Sequence, residues 1–196
     1  MDMTELQSDK FKLIGGAAAL DFVNTVSARV DGPGKPTEAD PAKAFRTEKF
    51  GEYSDLLAWS KKSGLFDENE IESLIKIAER EPRAAASVLK KAVHLREVVY
   101  RLFKAACEGW LPDENDLRNF NEHLRRAKAQ EHLVHDKNGF SLETGSRELS
   151  LDKVLWLLAN AAAELLASGE LSRVRQCHGK DCGWLFIDTS RSRNRQ

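Results

Sequence analysis

The sequence lacks the features that mark membrane, secreted and disulfide-bonded proteins. No apolar run approaches the roughly 18 residues that a membrane helix needs. The first ten residues are polar and of mixed charge, which is unlike a signal peptide. Three cysteines in 196 residues are few and odd in number, which argues against a disulfide framework and favours a reducing compartment. We therefore expect a cytoplasmic protein without a membrane partner.

Recognisable catalytic motifs are also lacking. The chain has no nucleophile elbow, no phosphate-cradling glycine loop and no His-Glu-x-x-His motif. Cys107 follows two alanines near the end of a predicted helix, so we interpret it as a small buried apolar residue. His132 and His135 lie in a predicted strand and would point to opposite faces, which argues against a metal site there. We expect no enzyme, and an activity built from scattered residues stays open as an alternative.

Helical spacing of apolar residues dominates what is present. Apolar residues make up 41% of the chain, enough for one domain with a real core. The spacing and the capping residues predict helices over residues 17–29, 53–62, 67–81, 82–108, 113–128 and 150–169. A β-hairpin is expected around residues 132–143, and a short strand over Phe11–Ile14. The predicted fold is mainly α: a single helical domain, residues 1–170, with a small β-hairpin.

One face of the first predicted helix carries Asp21, Asn24 and Thr25 among apolar residues. Buried polar groups need partners, so these side chains form either an internal network or the wall of a ligand pocket. Arg96 lies at the edge of the apolar stripe of the long helix and needs an anionic partner, for which Asp21 and a ligand are the candidates. We therefore treat Asp21, Asn24 and Arg96 as candidate ligand-binding residues.

A second polar line runs along the last long helix, which is otherwise apolar almost all round. Its members fall at steps of four and form a further candidate pocket wall: Asp152, Trp156, Asn160 and Glu164. Residues 30–51 are rich in glycine and proline and predict a long loop that could act as a lid over the first helix.

The chemistry of the C-terminal segment is the most specific in the chain. Cys177 and Cys182 are separated by four residues that include a turn at Gly179, which is typical of a zinc knuckle. A free thiol pair is the alternative interpretation. Residues 184–187 have the composition of a strand. Three arginines that alternate with small polar residues follow, and we take them as candidate nucleic-acid contacts: Arg191, Arg193 and Arg195.

The net charge of −1 conceals an asymmetry between this segment and the rest. From residue 172 onward, six Lys or Arg stand against two acids, a net charge of +4. The preceding residues carry 24 Lys or Arg against 29 acids, a net charge of −5. A basic tail on an acidic body is a recurrent pattern in nucleic-acid-binding proteins, although a merely solvated tail would look the same.

These residues carry a resemblance to a known family. The segment 175–195 resembles the first half of the CGNR zinc finger, which ends the bacterial ABATE-domain proteins. The stretch Leu-Asp-Phe-Val-Asn-Thr-Val at 20–26 and the Asp-Leu-Leu-Ala-Trp helix at 55–59 resemble the N-terminal domain of the same family. The family's finger continues into a second cysteine pair that includes Cys-Gly-Asn-Arg, which these 196 residues do not contain.

The resemblance implies a bacterial, stress-induced transcription regulator. Its helical domain, residues 1–170, would sense a signal or dimerise, and its finger would bind DNA. Residues 171–196 would form a partial zinc-ribbon-like segment with zinc on Cys177 and Cys182, in a site that is incomplete in this chain. A small-molecule-binding domain with a purely structural finger is the alternative. A small-molecule ligand and a homodimer therefore stay open as partners beside DNA.

Overall fold

Six α-helices and three two-stranded antiparallel sheets form the part of the chain that the computed structural model describes, which is residues 8–29, 45–145, 149–179 and 182–190. The helices are α1 (Ala18–Val23), α2 (Tyr53–Lys62), α3 (Glu68–Arg80), α4 (Pro82–Glu108), α5 (Glu114–Lys128) and α6 (Lys153–Ala167). The strands pair as β1 (Val26–Arg29) with β2 (Phe45–Glu48), β3 (Glu131–Asp136) with β4 (Gly139–Thr144), and β5 (Val174–Gln176) with β6 (Leu185–Ile187). The mainly α fold with a small hairpin is confirmed.

Local sequence signals set the ends of the helices. Asp67 accepts a hydrogen bond from the Glu70 backbone at 2.9 Å, and the Glu70 side chain accepts one from the Asp67 backbone at 3.0 Å, which completes a capping box before α3. Pro82 occupies the first turn of α4. The same helix ends at Gly109, whose φ of 68° is left-handed and favours glycine. The predicted bounds of α4 are confirmed.

Helix α6 lies at the centre of the core and packs against α1, α4 and α5. Its buried residues are mostly aliphatic, so their burial stabilises the domain through the hydrophobic effect. An aromatic cluster of Phe11, Phe22, Phe50 and Trp59 joins the start of the chain to α2, with neighbouring rings 5.5 to 6.4 Å apart. No described helix is both long enough and apolar enough to cross a membrane.

The first helix is much shorter than the predicted helix over residues 17–29. It ends at Val23, and the chain then turns into β1. The Thr25 hydroxyl donates to the Phe22 carbonyl at 2.7 Å, a local bond that competes with continuing the helix. Beyond it, the backbone hydrogen bonds of β1 are supplied by β2, which comes from the other side of the predicted loop. Long-range pairing therefore overrides the helical spacing at this point.

Two further expectations fall in the same part of the chain. The stretch Phe11–Ile14 is irregular rather than the predicted strand. Residues 30–44, most of the predicted lid loop, lie outside the described residues, and 45–48 form β2. The predicted hairpin over 132–143 is confirmed as β3 and β4, which pair in register with Leu133 opposite Leu142.

Candidate functional site

The two C-terminal cysteines lie in a tight turn between β5 and β6. The Cys177 backbone donates to the Trp184 carbonyl at 2.7 Å, and the Cys182 backbone donates to the Gly179 carbonyl at 2.9 Å. The Gly179 backbone also donates to the Cys177 sulfur at 3.4 Å. Backbone donors that orient a sulfur in this way are the usual surroundings of a metal-binding thiolate.

Both thiols occupy the inner side of this turn. A side chain at Gly179 would place its Cβ 3.3 Å from the Cys177 sulfur and 3.4 Å from the Cys182 Cβ, so the turn is narrow and suits glycine. Burial raises the pKa of Cys182, a hydrogen bond to the Trp184 backbone opposes that rise, and the adjacent Cys177 thiol adds to it. The Cys177 and Cys182 thiols are therefore close enough to influence each other.

The two cysteines at this turn have the donor chemistry that zinc prefers, but they are too few to close a zinc site. Structural zinc takes four ligands, and two thiolates leave the tetrahedron open. Among the described residues, no group of three or more His, Cys, Asp or Glu side chains is placed to hold a metal. His178 follows Cys177 directly and is exposed. The donor chemistry fits zinc, and the ligand count within the described residues does not complete it.

The predicted nucleic-acid contacts Arg191, Arg193 and Arg195 lie outside the described residues. Described residues end at Ser190, three positions after β6. The assignment of these arginines to phosphate contacts stays a prediction.

Strand β6 attaches the C-terminal segment, residues 171–196, to the helical domain; we call this segment the finger segment. The Asn24 side chain donates to the Leu185 carbonyl at 2.8 Å and accepts from the Leu185 backbone at 2.9 Å, so its amide pairs with β6 as a neighbouring strand would. On the same strand, the Ile187 backbone donates to the Gly15 carbonyl at 2.9 Å. The Trp184 indole donates to the Val26 carbonyl at 2.8 Å.

Strand β5 is attached to the long helix α4. The Gln176 side chain donates to the Tyr100 hydroxyl at 2.9 Å, and the Cys107 thiol donates to the Val174 carbonyl at 3.4 Å. Burial raises the pKa of Cys107 to about 11, so the thiol keeps its proton near neutral pH. Cys107 is therefore a partly buried structural residue of this joint, in line with the sequence interpretation.

Asp21 and Asn24 are buried, and each has a protein partner. One Asp21 carboxylate oxygen accepts from the Gly15 backbone at 2.7 Å. Burial raises the pKa of Asp21, and the backbone donors of Gly15 and Ile14 partly offset that rise. Asp21 therefore fixes the segment at Gly15, which borders β6, while Asn24 fixes β6 itself. This arrangement supports the internal network, one of the two alternatives that the sequence left open.

Arg96 is 1% exposed, and its partners among the described residues differ from the expected Asp21. Its guanidinium makes a bidentate pair with Glu48 at 2.8 and 2.6 Å, and its Nε donates to Glu97 at 2.8 Å. It also donates to the Thr25 hydroxyl at 3.2 Å. Burial alone lowers the pKa of Arg96, but the bonds to Glu48 and the charge of Glu97 outweigh it, so the pKa is raised.

The sequence did not point to Glu48, because it falls in the predicted loop. Its place at the end of β2 brings it to Arg96, and Arg96 in turn reaches Thr25, next to Asn24. A continuous chain of polar contacts thus runs from β2 through Arg96 to the helix end that holds β6. A buried arginine is a signal that a carboxylate must be near, but it does not say which one.

A separate cleft of about 260 Å³ lies between α4, α5 and the start of α6. Asp152 and Trp156 of the second polar line do border it, together with Lys91, His123 and Arg126. Burial and the positive charges around it lower the pKa of His123.

The other two members of that polar line lie away from the cleft. The Asn160 amide donates to Glu131 at 2.9 Å, and Glu164 is exposed. The second polar line therefore borders a cleft only at its N-terminal end.

The helices and the cysteine turn define a class of protein: a helical domain that carries part of a zinc finger on its surface. Residues 16–169 match the ABATE family, which is described as "Putative stress-induced transcription regulator", and residues 173–196 match the CGNR zinc finger. The chain belongs to the ABATE family. The description names a regulator rather than an enzyme. No curated protein matches the chain.

The ligand count gives a prediction for the metal content of this 196-residue chain. As a monomer it should hold zinc weakly, because Cys177 and Cys182 supply two ligands where four are needed. Metal analysis after mild chelation should find well under one equivalent, and Cys177→Ser should remove what remains. One full equivalent that resists chelation in a monomer would contradict this expectation and indicate further ligands.

Proposed function

We propose that the protein is a DNA-binding transcription regulator in which the helical domain holds the finger in a fixed orientation. The observation that carries the proposal is the joint at β6, where Asn24 pairs with both backbone groups of Leu185. These hydrogen bonds to a buried side chain hold β6 in one position on the helical domain. A finger on a mobile linker would not be held in this way. The family description supports the regulator part of the proposal.

Zinc has a structural role in this proposal. Cys177 and Cys182 would hold it together with a second pair of ligands, and the ion would brace the turn between β5 and β6. The chain's own contribution is to fix both sulfurs through the Gly179 turn and to fix β6 on the domain.

The arginines after β6 supply the phosphate contacts in this proposal. Arg191, Arg193 and Arg195 alternate with small polar residues, so an extended backbone would place all three guanidinium groups on one side. Guanidinium matches phosphate in charge and in its fork of donors. Such contacts position a protein on a duplex without reading its sequence, which would fall to the rest of the finger.

A small-molecule-binding function is the second candidate, and the cleft beside α6 favours it. Its lining combines the cations Lys91 and Arg126 with the indole of Trp156, a mixture suited to a small polar ligand. Such a ligand would be a signal for the regulator rather than a substrate. Asp21, Asn24 and Arg96 do not border this cleft.

The DNA-binding proposal is tested by salt dependence. A zinc-loaded chain whose finger is completed by a second cysteine pair should bind duplex DNA, and the 196-residue chain should bind it poorly. Arg193→Ala in the completed chain should weaken binding to all sequences alike and lower the slope of log affinity against log salt by about one unit. Lys137→Ala, at an exposed hairpin turn, is the matched control and should leave the slope unchanged. Absence of salt-dependent binding by the completed chain would refute the proposal.

A further inference from the structure

Four lysines from separate parts of the sequence come together on the helical domain. The aromatic core brings three of them together. The Phe11 and Phe50 rings lie 5.7 Å apart, Lys10 and Lys12 flank Phe11 in sequence, and Lys49 precedes Phe50. A third segment joins them where the Lys62 ammonium donates to the Ser8 carbonyl at 3.1 Å. We call this group the lysine cluster: Lys10, Lys12, Lys49 and Lys62.

The lysine cluster is continuous with the finger segment. The Lys49 ammonium lies 5.3 Å from the centre of the Trp184 ring, a cation–π contact. Trp184 follows Cys182 by two residues, and its indole is bonded to Val26. Through Lys49 the cluster therefore lies beside Trp184, where the finger segment meets the helical domain.

The lysine cluster keeps an excess of positive charge. Asp55 forms an ion pair with Lys10 and so offsets one of its charges, and exposed Asp9 lies next in sequence. Burial and then the charges of Lys12, Lys10 and Lys62 lower the pKa of Lys49, in keeping with cations gathered around it. Lys12 and Lys62 are exposed. Like charges held this close repel one another, and an anionic partner would relieve the repulsion.

We propose that the lysine cluster binds the phosphate backbone of the same DNA duplex that the finger contacts. The cluster would add phosphate contacts on the domain side of the cysteine turn, so the duplex would bridge the finger and the helical domain. The inference rests on the proposed DNA-binding function. It adds that the helical domain, and not the finger alone, is part of the DNA interface. A lysine ammonium group binds phosphate as a point charge and does not require a fixed geometry.

The test measures DNA affinity against salt for charge-matched variants of the zinc-loaded chain with a completed finger. The cluster variant is K12Q/K49Q/K62Q, which leaves Lys10 on Asp55. The control variant is K76Q/K90Q/K137Q, three exposed lysines that are not among the charges acting on Lys49. The cluster variant should lose about one unit of slope for each contact that is removed, on specific and random duplexes alike, and the control variant should lose none.

A conservative variant separates charge from folding. K12R/K49R/K62R keeps the three charges and should keep the slope, and thermal unfolding of all variants should show that the fold is retained. If the cluster and control variants share one slope while R193A still lowers it, the finger alone holds DNA and the cluster proposal is overturned. If no variant shows salt-dependent binding, the proposed function fails, and this inference fails with it.

Discussion

Arg96→Ala is expected to lower the free energy of unfolding by about 3 kcal/mol or more, because it removes the cation that Glu48 and Glu97 share and leaves a cavity in the core. The Glu97 side chain is 17% exposed, so it would lose this cation while largely shielded from water, whereas the Glu48 side chain is 35% exposed and reaches solvent. The Thr25 hydroxyl would lose its donor as well. Urea unfolding, followed by circular dichroism, measures the change.

Arg96→Met is the matched control, because it removes the charge and the hydrogen bonds but keeps most of the side-chain volume. It should cost clearly less than Arg96→Ala, since Glu48 can turn toward water while the methionine fills the space. A double-mutant cycle with Glu48→Gln isolates the pair, and contacts of this kind couple by about 0.5–3 kcal/mol. A loss below about 0.5 kcal/mol for Arg96→Ala, the range of an ordinary surface change, would contradict the buried network.

The sequence predicted the helices well where the local signals agreed with one another. For α3, a capping box, an apolar stripe and a following proline all indicate the same bounds, and the structure has them. For α4, Pro82 at the start and Gly109 at the end do the same. These signals need no knowledge of the rest of the chain, which is why one sequence was enough.

The sequence misled where a distant segment decided the structure. Helical spacing continues past Val23, yet the chain turns into β1 because β2 is there to pair with it. The same pairing brings Glu48 to Arg96, so the carboxylate partner of Arg96 is Glu48 rather than Asp21, which was one of the two candidates. The local sequence pattern does not show which distant strand will pair with a given segment.

Residue type and spacing located the candidate site but did not identify its partners. The cysteine turn and the buried state of Asp21, Asn24 and Arg96 follow from residue type and spacing. Their role does not, since the partner of Asn24 is the backbone of Leu185, which has no side-chain signature. The polar stretch that holds Asn24 thus joins β6 to the helical domain.

Asn24→Ala is the second large effect expected, at about 2–4 kcal/mol, because it leaves two buried backbone groups of Leu185 without their partner. Asn24 is 2% exposed, so water cannot readily take its place. The loss should be concentrated at the joint, because α4 and α6 keep their own core contacts. Hydrogen exchange resolves this: the amides of β5 and β6 should lose protection well before those of α4.

Trp184→Phe is the control for this experiment, because it removes a different bond between the finger segment and the domain while keeping an aromatic ring. It deletes the single hydrogen bond to the Val26 carbonyl and should cost only about 1 kcal/mol, since one carbonyl is left unpaired rather than a donor and an acceptor. If Asn24→Ala unfolds no more easily than Trp184→Phe and β6 stays protected, β6 does not depend on Asn24. The fixed orientation of the finger would then have to come from Gly15 and Ile187, the backbone pair that lies on the other side of the strand's centre.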